Sequence, residues 1–225
     1  MSVDPPIRDA ASVLAIRRDG AEGPAVLMGR RGARAAFMPS KVVFPGGAVD
    51  AGDAGVDLAR PIGGTCASRL AMHGQAAVAA LCAAAIRELA EETGLALGHP
   101  APWPDAPAGW AGLARRGLRP DAAPLRYLFR AVTPPGRSRR FDARFFVVEA
   151  EALTGDTTGF PDADAELAGL EWVPLARARA LDVPFVTDLV LAEAAALIAR
   201  GPGAVPDSVP FFDNRGDRPV LRHIV

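Results

Sequence analysis

Two short apolar runs, "ASVLAIRRDG" (11–20) and "PAVLMGRRG" (24–32), each end in arginines and a glycine, with Asp19-Gly20 marking a turn between them. The pattern predicts neighbouring antiparallel strands. A third run, "SKVVFPGG" (40–47), is β-branched and stopped by Pro45 and two glycines, which end a strand and let backbone approach closely. Residues 48–75 are glycine-scattered and predict a loop-like insertion, with one helical turn at 67–72. From Gln75 to Glu92 glycine and proline are absent and helix formers dominate. Val78, Leu81, Cys82, Ala85, Ile86 and Leu89 recur at helical spacing, and Gly94 stands where a C-terminal cap belongs.

After a proline-rich loop at 98–107, "AGWAGLARRG" predicts a short helix, and strands are expected at 124–132, 140–150 and 170–175. An acidic loop, 155–166, separates the last two. Residues 184–201 predict a helix opened by proline and closed by glycine. The chain from about 202 reads as an irregular tail, apart from an extended stretch in "RPVLRHIV". Strands, helix, strands, helix in that order predict one α/β domain over 1–225, a mixed sheet between helices, with the insertion at about 54–75.

Composition narrows the function classes. Half the residues are hydrophobic and the net charge is −1, so coating a nucleic acid polymer or an anionic membrane is not expected. Two cysteines, Cys66 and Cys82, match no metal or redox spacing, and no apolar stretch reaches spanning length, so a soluble cytoplasmic protein is expected. His73, His99 and His223 show no ligand spacing either.

One segment changes the picture. "AAIRELAEETGLAL" (84–97) sets Glu88, Glu91 and Glu92 within five positions near a helix end. A solvated face supported by an Arg87–Glu91 pair is the plain explanation. Against it, carboxylates in a last turn face the negative end of the helix dipole, and at three- and four-residue spacing they repel one another. A hard divalent cation relieves both costs, since Mg²⁺ takes oxygen ligands from a few carboxylates and from substrate phosphate.

"RELAEETGL" (87–95) resembles the second half of the Nudix box, G-x5-E-x7-R-E-U-x-E-E-x-G-U with U aliphatic, at every specified position. "VFPGGAVDAGD" (43–53) is similar to its first half. Asp53 stands where the family has glutamate, and 33 residues, 54–86, replace the usual seven spacers. This interruption resembles a branch of the family that includes peroxisomal coenzyme A diphosphatases. Lengthening a loop costs little entropy and leaves the helix register intact.

The resemblance implies a Nudix-type α/β/α sandwich with a mixed central sheet. It implies Mg²⁺ or Mn²⁺ held by Glu88, Glu91, Glu92 and the carbonyl of Gly46, with Glu88 also as base for an attacking water. Arg87 would orient a carboxylate, Gly47 would permit the tight turn, and Gly94 would close the helix. A further acidic residue is expected from the loop before the last strand, Glu166 first, with Asp162, Asp164 and Glu171 behind it. Arg30, Arg31 and Arg144 are candidate phosphate ligands; Trp103, Trp110 and Phe160 are aromatic residues able to stack on a base. The expected activity is hydrolysis of a diphosphate linkage in a nucleotide-derived small molecule, with coenzyme A or its derivatives as one substrate class. ADP-ribose or NADH diphosphates, or a catalytically silent nucleotide-binding module, remain alternatives. Many relatives are dimers, which leaves a homodimer open.

Overall fold

The computed structural model describes residues 4–72, 76–161, 163–164, 166–216 and 218–225. The strands are β1 (Ile7–Arg17), β2 (Ala25–Arg31), β3 (Val42–Val43), β4 (Gly46–Ala48), β5 (Gly98–Pro100), β6 (Leu118–Pro120), β7 (Arg126–Val132), β8 (Arg140–Glu149), β9 (Leu167–Pro174), β10 (Val209–Asp213) and β11 (Val220–Ile224). The helices are α1 (Gly64–Ala71), α2 (Val78–Thr93), α3 (Ala111–Arg115), α4 (Leu175–Ala178) and α5 (Phe185–Ala199).

Among the described residues nine strands join one mixed sheet, ordered β11-β10-β7-β8-β1-β2-β3, with β4 paired to β1 and β9 to β2. β1 runs parallel to β8 and β10 parallel to β7; the remaining ladders are antiparallel. β5 and β6 form a separate hairpin.

Strand alternation builds two cores. Ala11, Val13 and Ala15 of β1, with Phe146 and Val148 of β8, face α1 and α2, whose Cys66, Leu70, Leu81, Ala85, Ile86 and Leu89 complete that layer. Leu14 and Ile16, with Phe145 and Val147, face α5 through Val190, Leu191, Ala194 and Ile198. The result is the α/β/α sandwich expected from the sequence. Among the described residues no helix is long and apolar enough to cross a membrane.

α2 ends within one residue of the expected end but begins at Val78 with Ala77 as its N-cap, later than the expected start at Gln75, which lies outside the described residues. Gly94 adopts φ 71° and donates its N–H to the Ala90 carbonyl at 2.9 Å, the left-handed cap a glycine supplies at no steric cost. Two expectations need correction. The chain after Pro202 is not irregular: β10 and β11 extend the sheet, because β10 finds a parallel partner in β7, far upstream. In the insertion, the single turn expected at 67–72 is a longer helix, α1, that starts at Gly64. α1 buries Cys66 and Leu70, and Arg69 donates to the carbonyl of Pro206 at 2.6 Å and to that of Asp207, pinning α1 to the segment that enters β10. Arg60 pairs with Asp121, and Arg119 with Asp57, fastening the insertion to the β5–β6 hairpin region.

Candidate active site

The glutamates of α2 meet the strand end at Gly46 and Gly47. β4 pairs with β1 at Gly46↔Ser12 and Gly47↔Ala11, so these glycines are fixed in the sheet. A Cβ on Gly46 would lie 2.5 Å from the Ala11 carbonyl oxygen, and one on Gly47 would lie 2.4 Å from Oε1 of Glu88. Only glycine leaves room for the carboxylate to reach the strand. The Gly46 N–H donates to Oε2 of Glu92 at 2.6 Å.

Arg87 is the hub. Its Nε and Nη2 each donate at 3.0 Å to the two oxygens of Asp53, its Nη1 to Glu88 at 2.8 Å and to Glu91 at 3.1 Å, and its Nη2 also to the Ala48 carbonyl. Burial works against the Arg87 charge, but the hydrogen bonds it donates to Asp53 and the charges of Glu88 and Asp53 more than offset it, raising its pKa. Asp53 is 1% exposed and accepts the Asp50 N–H as well. The sequence left open whether Asp53 is a mere turn residue; the structure makes it the buried counter-ion that locks the two pieces of the box together. Asp53→Ala is therefore expected to cost about 3 kcal/mol of unfolding free energy, measured by urea denaturation. A loss within the scatter of ordinary surface substitutions would refute that role.

Glu88 and Glu92 are short of positive partners. Burial pushes Glu88 up to about 6, with Arg87 opposing and Glu91 and Glu166 adding repulsion. Burial pushes Glu92 up to about 8, against the Gly46 N–H and Arg31, with Glu88 and Glu166 adding repulsion. The second oxygen of Glu92, Oε1, is buried without a hydrogen-bond partner. Among the described residues no three acidic side chains already converge as a cation cage. Arg87 holds Glu88 and Glu91, while the orphan oxygen of Glu92 and the Glu88 carboxylate lying over Gly47 are hard oxygen donors at the same strand end.

Glu166 lies beside this group. Arg31, at the end of β2, donates to its Oε1 at 2.5 Å. The Asp164 N–H docks on the Glu91 carbonyl at 2.9 Å, and the Asp164 carboxylate accepts the Glu166 N–H at 2.8 Å, so Asp164 positions Glu166. Asp162 and His73 lie outside the described residues.

Three expected ligands sit elsewhere. Arg144 is 1% exposed and bound to Asp9 and Asp142, so its charge is spent inside the molecule. Arg30 neighbours Arg31 in a strand and therefore points to the opposite face, where its Nη1 donates to the Ser40 carbonyl at 2.8 Å. Glu171 pairs across from Met28 and lines a groove with Arg30 on that far face. Trp110 and Phe160 are buried in the core, with Trp103 packed on Trp110 at 5.8 Å between ring centroids. His99 lies on β5, and His223 on β11 contacts the Ser208 hydroxyl.

No family model and no curated protein matches the chain by sequence. Among solved structures, a NUDIX hydrolase from Alicyclobacillus acidocaldarius is 33% identical, covering 83% of this chain and 90% of its own, with a TM-score of 0.61. The chain belongs to the Nudix hydrolase family. As a Nudix hydrolase it acts on acid anhydride, that is diphosphate, bonds. The MutT protein from Methanosarcina mazei Go1 shares the fold at 15% identity, covering 87% of this chain and 98% of its own, TM-score 0.51. In this Nudix hydrolase the residue whose role the sequence left open is Asp53, whose signal was its place six residues after Gly47, where the box has glutamate; Asp164, expected as an alternative to Glu166, instead docks on the end of α2 and holds the Glu166 backbone.

Proposed function

We propose that the protein is a metal-dependent hydrolase of a diphosphate linkage in a nucleoside diphosphate joined to a second moiety, with coenzyme A or its derivatives as the first substrate class. The observation that carries the reading is the buried, undercompensated Glu88–Glu92 pair at the Gly46–Gly47 strand end, with one glutamate oxygen unpartnered. Glu88, Glu91, Glu92 and the Gly46 carbonyl would hold Mg²⁺ or Mn²⁺, which supplies charge neutralisation for the diphosphate.

The protein's own residues do the remaining work. Glu88, whose carboxylate lies over the Gly47 backbone at the strand end, would accept the proton of the attacking water. Arg87 fixes Glu88 and Glu91 and is itself fixed by Asp53. Arg31 faces the glutamates from β2 and, on exchanging Glu166 for a phosphate oxygen, would grip the substrate and release Glu166 toward the reacting centre. The preference for coenzyme A-like substrates rests on the interrupted box. The test is turnover of coenzyme A, ADP-ribose, NADH and diadenosine polyphosphates with and without Mg²⁺ or Mn²⁺, beside Glu91→Gln. The expected result is metal-dependent release of two phosphorylated products and a large loss in the variant. Equal rates in parent and variant would sink the site assignment, while tight binding without turnover would favour a silent binding module.

A further inference from the structure

The loop that leaves Arg31 and the turn between β7 and β8 meet at the site's end of the sheet, and both carry arginines. Arg34 stands on the first, Arg137 and Arg139 on the second, and all three are exposed. The two segments are tied: the Ser138 hydroxyl donates to the Ala36 carbonyl at 3.2 Å, and Phe37 packs edge-on against Phe141 at 5.2 Å. The turn is braced from below, where Asp4 accepts the Gly136 N–H at 2.8 Å and also pairs with Arg140. Asp4 is thereby engaged and does not neutralise the arginines above it.

Among the described residues the side chains of Arg34, Arg137 and Arg139 make no hydrogen bond or ion pair, and neither do those of Arg115 and Arg218 among the other arginines. Three exposed guanidinium groups on two braced loops, with no carboxylate held against them, give this edge of the molecule a local positive charge that suits an anion. The loop also cannot wander from the site. The Ala35 N–H donates to the Gly32 carbonyl at 3.0 Å, so Arg34 sits in a tight turn directly after Arg31, and three residues span at most about 10 Å. Ser40 and Lys41 close the loop back on Arg31, through bonds from the Ser40 N–H to the Arg31 carbonyl and from the Arg31 N–H to the Lys41 carbonyl.

We infer that Arg34, Arg137 and Arg139 form a cationic rim that selects diphosphate substrates carrying a separate phosphomonoester group, remote from the bond that is cut. The inference rests on the diphosphatase reading above and adds a substrate feature to it. Guanidinium groups suit a dianionic phosphomonoester because they donate in a planar fork. The rim plays no part in the cleavage, which the glutamates carry.

Two matched pairs test it, each differing by one phosphomonoester: coenzyme A against dephospho-coenzyme A, and NADPH against NADH. With Mg²⁺ present, kcat/KM is measured for the parent, for the triple variant Arg34→Ser/Arg137→Ser/Arg139→Ser, and for the corresponding triple lysine variant; binding of both members of each pair is measured by calorimetry. The parent is expected to favour the phosphorylated member of at least one pair. The serine variant should lose roughly 10- to 100-fold in kcat/KM on that member through KM, and the lysine variant should recover much of it. A parent indifferent to the phosphomonoester in both pairs, or a serine variant that falls equally on both members, overturns the rim. Preferential binding of the phosphorylated member without turnover would keep the rim and remove the hydrolase reading; absence of both preference and turnover removes both.

Discussion

Glu92→Gln is expected to lower kcat by about a thousandfold or more, about 4 kcal/mol of lost transition-state stabilisation, with the fold intact. Glu92 is 1% exposed, one of its oxygens accepts the Gly46 N–H, and the other has no partner. Glutamine keeps the shape and an acceptor for Gly46 but removes the charge that a divalent ion would meet. The structural cost is limited, because a carboxylate already pushed up to about 8 is largely protonated at neutral pH in the metal-free protein. The check is kcat at saturating substrate and Mg²⁺, beside circular dichroism. A variant within tenfold of the parent would show that Glu92 is a packing residue only.

The stability of the metal-free protein is expected to fall as pH rises, which is the reverse of ordinary carboxylate behaviour. Glu88 and Glu92 have folded pKa values of about 6 and about 8, above the ordinary 4.5. The folded state therefore binds these protons more tightly than the unfolded chain. Their contribution is fully present below the ordinary value and is lost as pH climbs through about 6 and then about 8. For Glu92 alone the loss by neutral pH is on the order of 3 kcal/mol, or about 5 to 10 °C in Tm for a chain of this size. Bound Mg²⁺ would remove the penalty, so the Mg²⁺-induced rise in Tm should grow from about pH 6 to about pH 8.5 and be much reduced in Glu92→Gln. Thermal scans across that range decide it: a pH-independent Mg²⁺ effect would mean that the ion binds elsewhere.

The helix that carries the second half of the box was legible because its signals are local. Eighteen positions free of glycine and proline, an apolar stripe and a glycine cap specify α2 without reference to the rest of the chain. β1, β2, β7, β8, β9 and α5 were legible for the same reason. β11 falls in the extended stretch expected in "RPVLRHIV", but β10 was not legible, because an extended segment becomes a strand only when a partner edge is present, and β10's partner is β7.

Within the site, the residue types were readable but their faces were not. Arg30 and Arg31 are adjacent and chemically identical, and only the register of β2 against β9 sends one to Glu166 and the other to the far groove. Arg144 looked equally suited to phosphate until the parallel pairing of β1 with β8 brought Asp9 beside it. Asp53 lies 34 positions before Arg87 in the chain, and its role appears only when the loop folds back.

The pairing of Asp53 with Arg87 separates geometry from chain length. The strand end and the helix are bolted to each other by charge, so the polypeptide that connects them is released from holding them in register and can take up other work. Here it has become a brace: α1 packs beside α2, and Arg69 reaches from it to Pro206 and Asp207 at the entrance to β10. The same 33 residues that interrupt the motif thus tie the layer of α2 to the last strands added to the sheet.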